Sequence, residues 1–91
     1  MIVYVVEMDR DGEKSYVKFS YDIIWCSNVK DADFYNTPEE AEKEIPDLLA
    51  REKECEKNKL IMSARGLLKL PEGYKEKNIS MRVREVEINL L

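Results

Sequence analysis

The chain has 91 residues, 44% hydrophobic and 37% charged, with a formal net charge of −4 and no histidine. That length holds one small domain, residues 1–91, with a modest core, and leaves no room for a deep catalytic cleft plus a separate binding domain. The missing histidine removes Ser–His–Asp and Cys–His nucleophilic catalysis, HExxH sites and Cys2His2 zinc sites. The three glycines, Gly12, Gly66 and Gly73, start neither a GxGxxG nor a Walker loop.

No apolar run approaches the roughly 20 residues of a membrane span. The start, MIVYVVEMDRD, lacks the basic residues of a signal peptide and alternates like a strand. The expectation is a soluble cytoplasmic protein. Cys26 and Cys55 stand far apart and in no CxxC pair, the pattern of free, packed cytosolic thiols. Charge is unevenly spread: Met1–Pro38 holds four basic and seven acidic residues, Glu39–Lys57 four and eight, Asn58–Leu91 seven and four. An acidic total argues against direct nucleic-acid binding, which needs a basic face, and suits an acidic face that meets a basic partner.

In chain order, Ile2–Met8 is rich in β-branched residues and nearly continuous in apolar character, which predicts a central strand. Asp11–Gly12 within Asp9–Lys14 is a hairpin signal. Ser15–Tyr21 alternates, with Tyr16, Lys18 and Ser20 on one side and Val17, Phe19 and Tyr21 on the other. Asp22–Asn28 reads as a third short strand or extended piece, and Asn28 can cap one helical turn over Asn28–Ala32.

Thr37–Lys57 is the organising stretch. Thr37 can cap, Pro38 suits the first helical position, and Glu40 completes a capping box. Ala41, Ile45, Leu48 and Leu49 recur at helical spacing, which makes Leu48 and Leu49 core residues. Pro46 either kinks the helix or divides it in two. Glu39–Lys43 and Asp47–Arg51 have the spacing and order of favourable i,i+4 ion pairs. Leu60, Ala64, Leu67 and Leu68 extend the stripe and favour helix to near Lys69, with a break at Lys57–Lys59 or a strand at Leu60–Ala64 as alternatives. Leu70–Lys77 is a loop punctuated by Pro71 and Gly73. Ile79–Leu90 is the last strand: Ile79, Met81 and Val83 share one face, Val86, Ile88 and Leu90 the other, and the change of parity at Arg84–Glu85 predicts a β-bulge. The sum is an α+β domain: an antiparallel β-sheet, built of an N-terminal β-hairpin and a C-terminal strand, covered on one face by a long or kinked helical region.

Trp25–Glu42, WCSNVKDADFYNTPEEAE, and Val83–Ile88, VREVEI, resemble small uncharacterised accessory proteins of Gram-positive bacteria and their phages. The resemblance implies a phage or prophage accessory gene. Such families share no activity, so it implies no catalytic residue.

Three groups are candidate sites. Glu39, Glu40, Glu42 and Glu44 form an acidic recognition face, against a plain reading as solvated charges that favour the helix dipole; no loop of spaced Asp residues with a turning glycine supports a metal site. Trp25 and Tyr35, with Tyr21 and Phe34, form an aromatic anchor for a partner, against a reading as core beneath the helix. Arg82 and Arg84 share a strand face and can grip phosphate or carboxylate, against surface pairing with Glu85, Glu87 or the helix carboxylates. Two functions follow. One is a small non-enzymatic protein that binds a host protein stoichiometrically through Glu39, Glu40, Glu44, Trp25 and Tyr35 and inhibits a defence or regulatory complex. The alternative is an oligomer that sequesters a phosphorylated or nucleotide-like ligand at Arg82 and Arg84. Neither calls for a cofactor.

Overall fold

A computed structural model describes residues 1–89. Four strands, β1 (Ile2–Arg10), β2 (Glu13–Phe19), β3 (Ile23–Cys26) and β4 (Ile79–Glu87), form one antiparallel sheet in the order β3-β2-β1-β4. One helix, α1 (Pro38–Ala64), crosses one face, so the class is α+β as the pattern predicts. β1 is central because its residues are apolar on both sides: Val3, Val5 and Val6 are all buried. The β1–β2 turn is the two-residue loop Asp11–Gly12, both residues at positive φ (49° and 92°). This is the mirror-image geometry that matches the twist of a hairpin. The Gly12 N–H donates to Asp9 Oδ1 at 2.7 Å and fixes it.

Under the helix, Val6 and Val17 meet Ala41 and Leu48, with Tyr4, Ile23, Trp25, Tyr35, Ile45, Met81 and Val83 packed around them. On the opposite face a single 3-10 turn, Val29–Asp31, lies over part of the sheet. Asn28 caps it as expected, its Oδ1 accepting from the Lys30 N–H at 3.0 Å. Val5, Tyr16 and Ala32 bury there, joined by Cys26, Val29 and Val86.

That second cluster corrects the expected bulge. β4 pairs with β1 without interruption, from Ile2 opposite Glu87 to Arg10 opposite Ile79. The apolar residues of β4 change sides because the cover changes sides: α1 lies over Met81 and Val83, the 3-10 turn over Val86. The expected place of Leu90 lies outside the described residues.

α1 begins as its sequence dictates. Thr37 Oγ1 accepts from the Glu40 N–H at 3.3 Å, and Pro38 is the first helical residue. The helix runs unbroken through Pro46 and through Lys57–Lys59 for 27 residues, about 40 Å at 1.5 Å per residue. It ends at Ala64 rather than near Lys69, and Leu60–Ala64 is helix rather than strand. Gly66 sets the stop. At φ 73° it takes the left-handed position just past the cap. The Leu67 N–H then bonds the Met62 carbonyl at 2.9 Å and the Gly66 N–H the Ser63 carbonyl at 3.0 Å, a Schellman motif.

Leu48 is core, but Leu49 is only half-buried, because the inner stripe runs from Ala41 and Leu48 into two buried glutamates, Glu52 and Glu56. The expected i,i+4 pairs do not form among the described residues. Arg51 reaches Asp22 at 2.7 Å instead of Asp47, and Lys43 has no ion-pair partner. Both cysteines are free, Cys26 half-buried and Cys55 exposed. Among the described residues no helix is long and apolar enough to cross a membrane.

Candidate functional site

Glu7 interrupts the apolar run of β1 at an odd position, so it shares the face of Val3 and Val5, away from the helix. A carboxylate there must be paired or it is costly. The register supplies the partners, with Arg82 directly opposite on β4 and Tyr16 directly opposite on β2. Arg82 Nε donates to Glu7 Oε1 at 2.7 Å, and Arg84 Nη1 donates to Oε2 at 3.2 Å. Arg84 Nη1 also donates to the Tyr16 hydroxyl at 2.7 Å, and its guanidinium lies over the Tyr16 ring, 5.8 Å from the centroid. Burial pushes the Glu7 carboxyl up, but the hydrogen bond and charge of Arg82, with Tyr16 and Arg84, outweigh it and hold the group below its ordinary value. The Glu7 side chain is 2% exposed, while those of Arg82 and Arg84 are 67% and 44% exposed. The arginines therefore bond inward with some donors and keep the rest outward, where they can take a carboxylate or phosphate oxygen. Their partner is Glu7, on the neighbouring strand, rather than Glu85, Glu87 or the helix carboxylates.

Beyond Arg84 the same face falls into an apolar groove of about 440 Å3 whose walls include Val3, Val29, Phe34, Val86 and Ile88. The sheet face thus passes from basic to apolar within a few residues of β4.

The inner side of α1 holds two buried carboxylates. Glu52 accepts from Trp25 Nε1 at 2.7 Å and from Arg10 Nη2 at 2.9 Å. Glu56 accepts from the Tyr74 hydroxyl and, at 3.1 Å, from the Lys77 N–H; Lys59 Nζ lies 3.6 Å away. Burial raises the Glu56 carboxyl, and these partners more than reverse it, Tyr74 foremost. Glu52 ties the helix to β3 and β1, and Glu56 ties the 70–77 loop to the helix. A cleft of about 500 Å3 beside Glu56 is lined by residues of mixed sign, among them Asp9, Asp11, Lys53, Lys57, Lys77 and Ser80. Among the described residues no group of three or more acidic or cysteine side chains is placed to hold a metal ion.

The aromatic candidates separate. Trp25 and Tyr35 pack beneath the helix as core. Tyr35 also exchanges backbone hydrogen bonds with Tyr4, at 3.0 and 2.7 Å. Its hydroxyl is buried and, among the described residues, without a partner, and burial, then the charges of Glu44 and Asp33, push it up to about 12. Tyr21 and Phe34 are exposed. Trp25 and Tyr35 therefore form no outward patch. Glu39 and Glu40 are exposed and Glu44 half-buried, and among the described residues none of the three enters an ion pair. At the other end of α1, Ile61, Met62, Leu67 and Leu68 are exposed together. The helix outruns the sheet there: Glu56 already borders the cleft beside Asp11 at the hairpin tip, and two turns follow.

The chain matches no family model, no curated protein and no solved structure.

Proposed function

We propose that this chain is a small non-enzymatic accessory protein that binds a host protein stoichiometrically and blocks a complex in which that protein takes part. The observation that carries the reading is the apolar end of α1. Ile61, Met62, Leu67 and Leu68 are all exposed within eight residues, in the last turn of α1 and the turn that follows it, and clustered exposed apolar side chains mark interaction sites on small domains. The acidic helix start adds direction. Glu39–Asp47 holds five carboxylates against Lys43 alone, and Glu39, Glu40 and Glu44 are free to meet a basic surface. A partner lying along α1 would meet carboxylates at one end and apolar side chains at the other. The resemblance of Trp25–Glu42 to phage accessory proteins supports a host protein as that partner.

Arg82 and Arg84 support the second reading, a phosphorylated or nucleotide-like ligand. Glu7 already takes part of their donor capacity, which favours the first. Affinity capture from a Gram-positive host lysate tests both. The expected result is one protein retained in equimolar amount by the wild type and lost from Leu67→Ser/Leu68→Ser, two exposed positions outside the core. A small molecule co-purifying in place of a protein, or the same protein retained by the variant, overturns the reading.

A further inference from the structure

β4 is an edge strand, and its outer edge is built to accept one kind of strand. Met1 and Ile88 bond each other's backbones, and the Asp11 N–H bonds the Asn78 carbonyl. Antiparallel pairs alternate along a ladder, so the even residues of β4 turn their N–H and C=O groups toward β1. The odd residues Met81, Val83, Glu85 and Glu87 turn theirs to the open edge. No described residue bonds them there. Unpaired edges are templates for another strand, and charged side chains are the usual guard.

The guard here is selective. A second copy pairing antiparallel through β4 meets like charge in each central register. Centred on residue 82 or 84, an arginine faces its own copy. Centred on 83, Arg82 faces Arg84. Centred on 85, two copies of Glu85 meet. Like charges directly opposite are destabilising, so these four registers, which pair the most of β4 with itself, are disfavoured.

A guard also has no need to be held in place, yet Arg82 and Arg84 are. Glu7 bonds both guanidiniums and Tyr16 bonds that of Arg84, the preorganisation that lowers the ordering cost of binding. On an added antiparallel strand, the residues facing Arg82 and Arg84 fall at the non-hydrogen-bonded sites, where side chains approach most closely. The next residue on that face, opposite Val86, falls over the apolar groove of Val3, Phe34 and Ile88. On the helix side of the same edge stand Glu85 and Glu87.

We propose that the free edge of β4 binds an extended segment of another protein by strand addition, one that reads, from its N-terminus, apolar–x–acidic–x–acidic on the face toward Arg84 and Arg82. The positions on either side of the apolar residue, opposite Glu87 and Glu85, favour lysine. This surface lies on a different part of the molecule from the end of α1, and the segment enters by backbone pairing plus charge.

A labelled peptide, Thr-Lys-Leu-Lys-Glu-Val-Glu-Thr-Ser, titrated into the intact protein by fluorescence anisotropy, tests it. The changes are made in the peptide, so folding of the protein is not at issue. Saturable binding is expected. Replacing both glutamates by lysine should weaken it at least about tenfold. N-methylation of the fourth and sixth amides, which face β4, should abolish it, while N-methylation of the fifth and seventh, which face away, should change it less than about threefold. Arg82→Gln, which leaves Arg84 on Glu7, should weaken the parent peptide and not the lysine peptide. No binding, indifference to the lysine exchange, or equal loss with both methylation patterns would overturn strand addition. Leu67→Ser/Leu68→Ser should bind the peptide like wild type, so this result and the capture experiment fail independently.

Discussion

Glu7 carries a charge in the middle of an apolar strand, and Arg82, Arg84 and Tyr16 make that tolerable. Removing one partner leaves a buried carboxylate short of donors, so Arg84→Ala should cost about 1–3 kcal/mol in denaturant unfolding. The same pairing sets the acid response. Glu7 and Glu56 are both held below their ordinary carboxyl value of 4.5 in the folded protein. A carboxyl depressed on folding contributes stability that is complete above its unfolded value and is lost as pH falls through the lower folded one. Thermal midpoints should therefore be flat between about pH 6 and pH 8 with respect to these two groups and fall below about pH 4.5. Glu7→Gln should be less stable at neutral pH and show a shallower acid decline. An equally steep decline in that variant would remove Glu7 from the account and leave Glu56.

At the level of elements, Leu48 joins the helix to the sheet and Leu48→Ala should cost about 2–5 kcal/mol, whereas half-buried Leu49 should cost less under the same change. Gly66→Ala should destabilise by about 1 kcal/mol, because alanine pays for the left-handed position that closes the helix. Denaturant melts of the three variants rank these effects, and a Gly66→Ala protein as stable as wild type would mean the Schellman turn contributes nothing. What the sequence made legible follows from how local each signal is. Asp11–Gly12, Asn28, Thr37 and Pro38 act within three or four residues, so hairpin, 3-10 turn and helix start can be read directly. Gly66 is equally local, but the leucines beyond it continue the helical stripe and point the other way. The parity change in β4 is legible as a pattern but not as a cause, since a bulge and a second covering layer predict the same residues. The Glu7 cluster depends on a register between β1 and β4 separated by some seventy residues, and Glu52 and Glu56 sit on a stripe that periodicity assigns to leucine. Arg82 and Arg84 were visible as a pair; their partner was not.

Across the whole molecule, which measures 52 × 24 × 23 Å, carboxylates crowd the start of α1 and apolar side chains its end, about 40 Å apart along the helix. Exposed charges are screened over about 8–10 Å near physiological ionic strength, so the two ends act independently on a partner. The acidic end should govern encounter. Binding of a basic host protein should weaken with added salt, and association should slow more than dissociation quickens, since rim charges mainly steer approach. Glu40→Lys/Glu44→Lys should reproduce at low salt what salt does to the wild type. The domain should survive that change: the Thr37 cap bonds the Glu40 backbone N–H, which the exchange leaves in place, and losing a carboxylate from the first turn costs about 0.3–1 kcal/mol. The apolar end should govern residence: Leu67→Ser/Leu68→Ser should speed dissociation and leave the salt dependence of association unaltered. Stopped-flow or surface-plasmon kinetics of both variants at two salt concentrations separate the roles. If charge reversal at Glu40 and Glu44 changes neither rate, the helix start is a solvated surface, and steering, if any, comes from elsewhere in the chain.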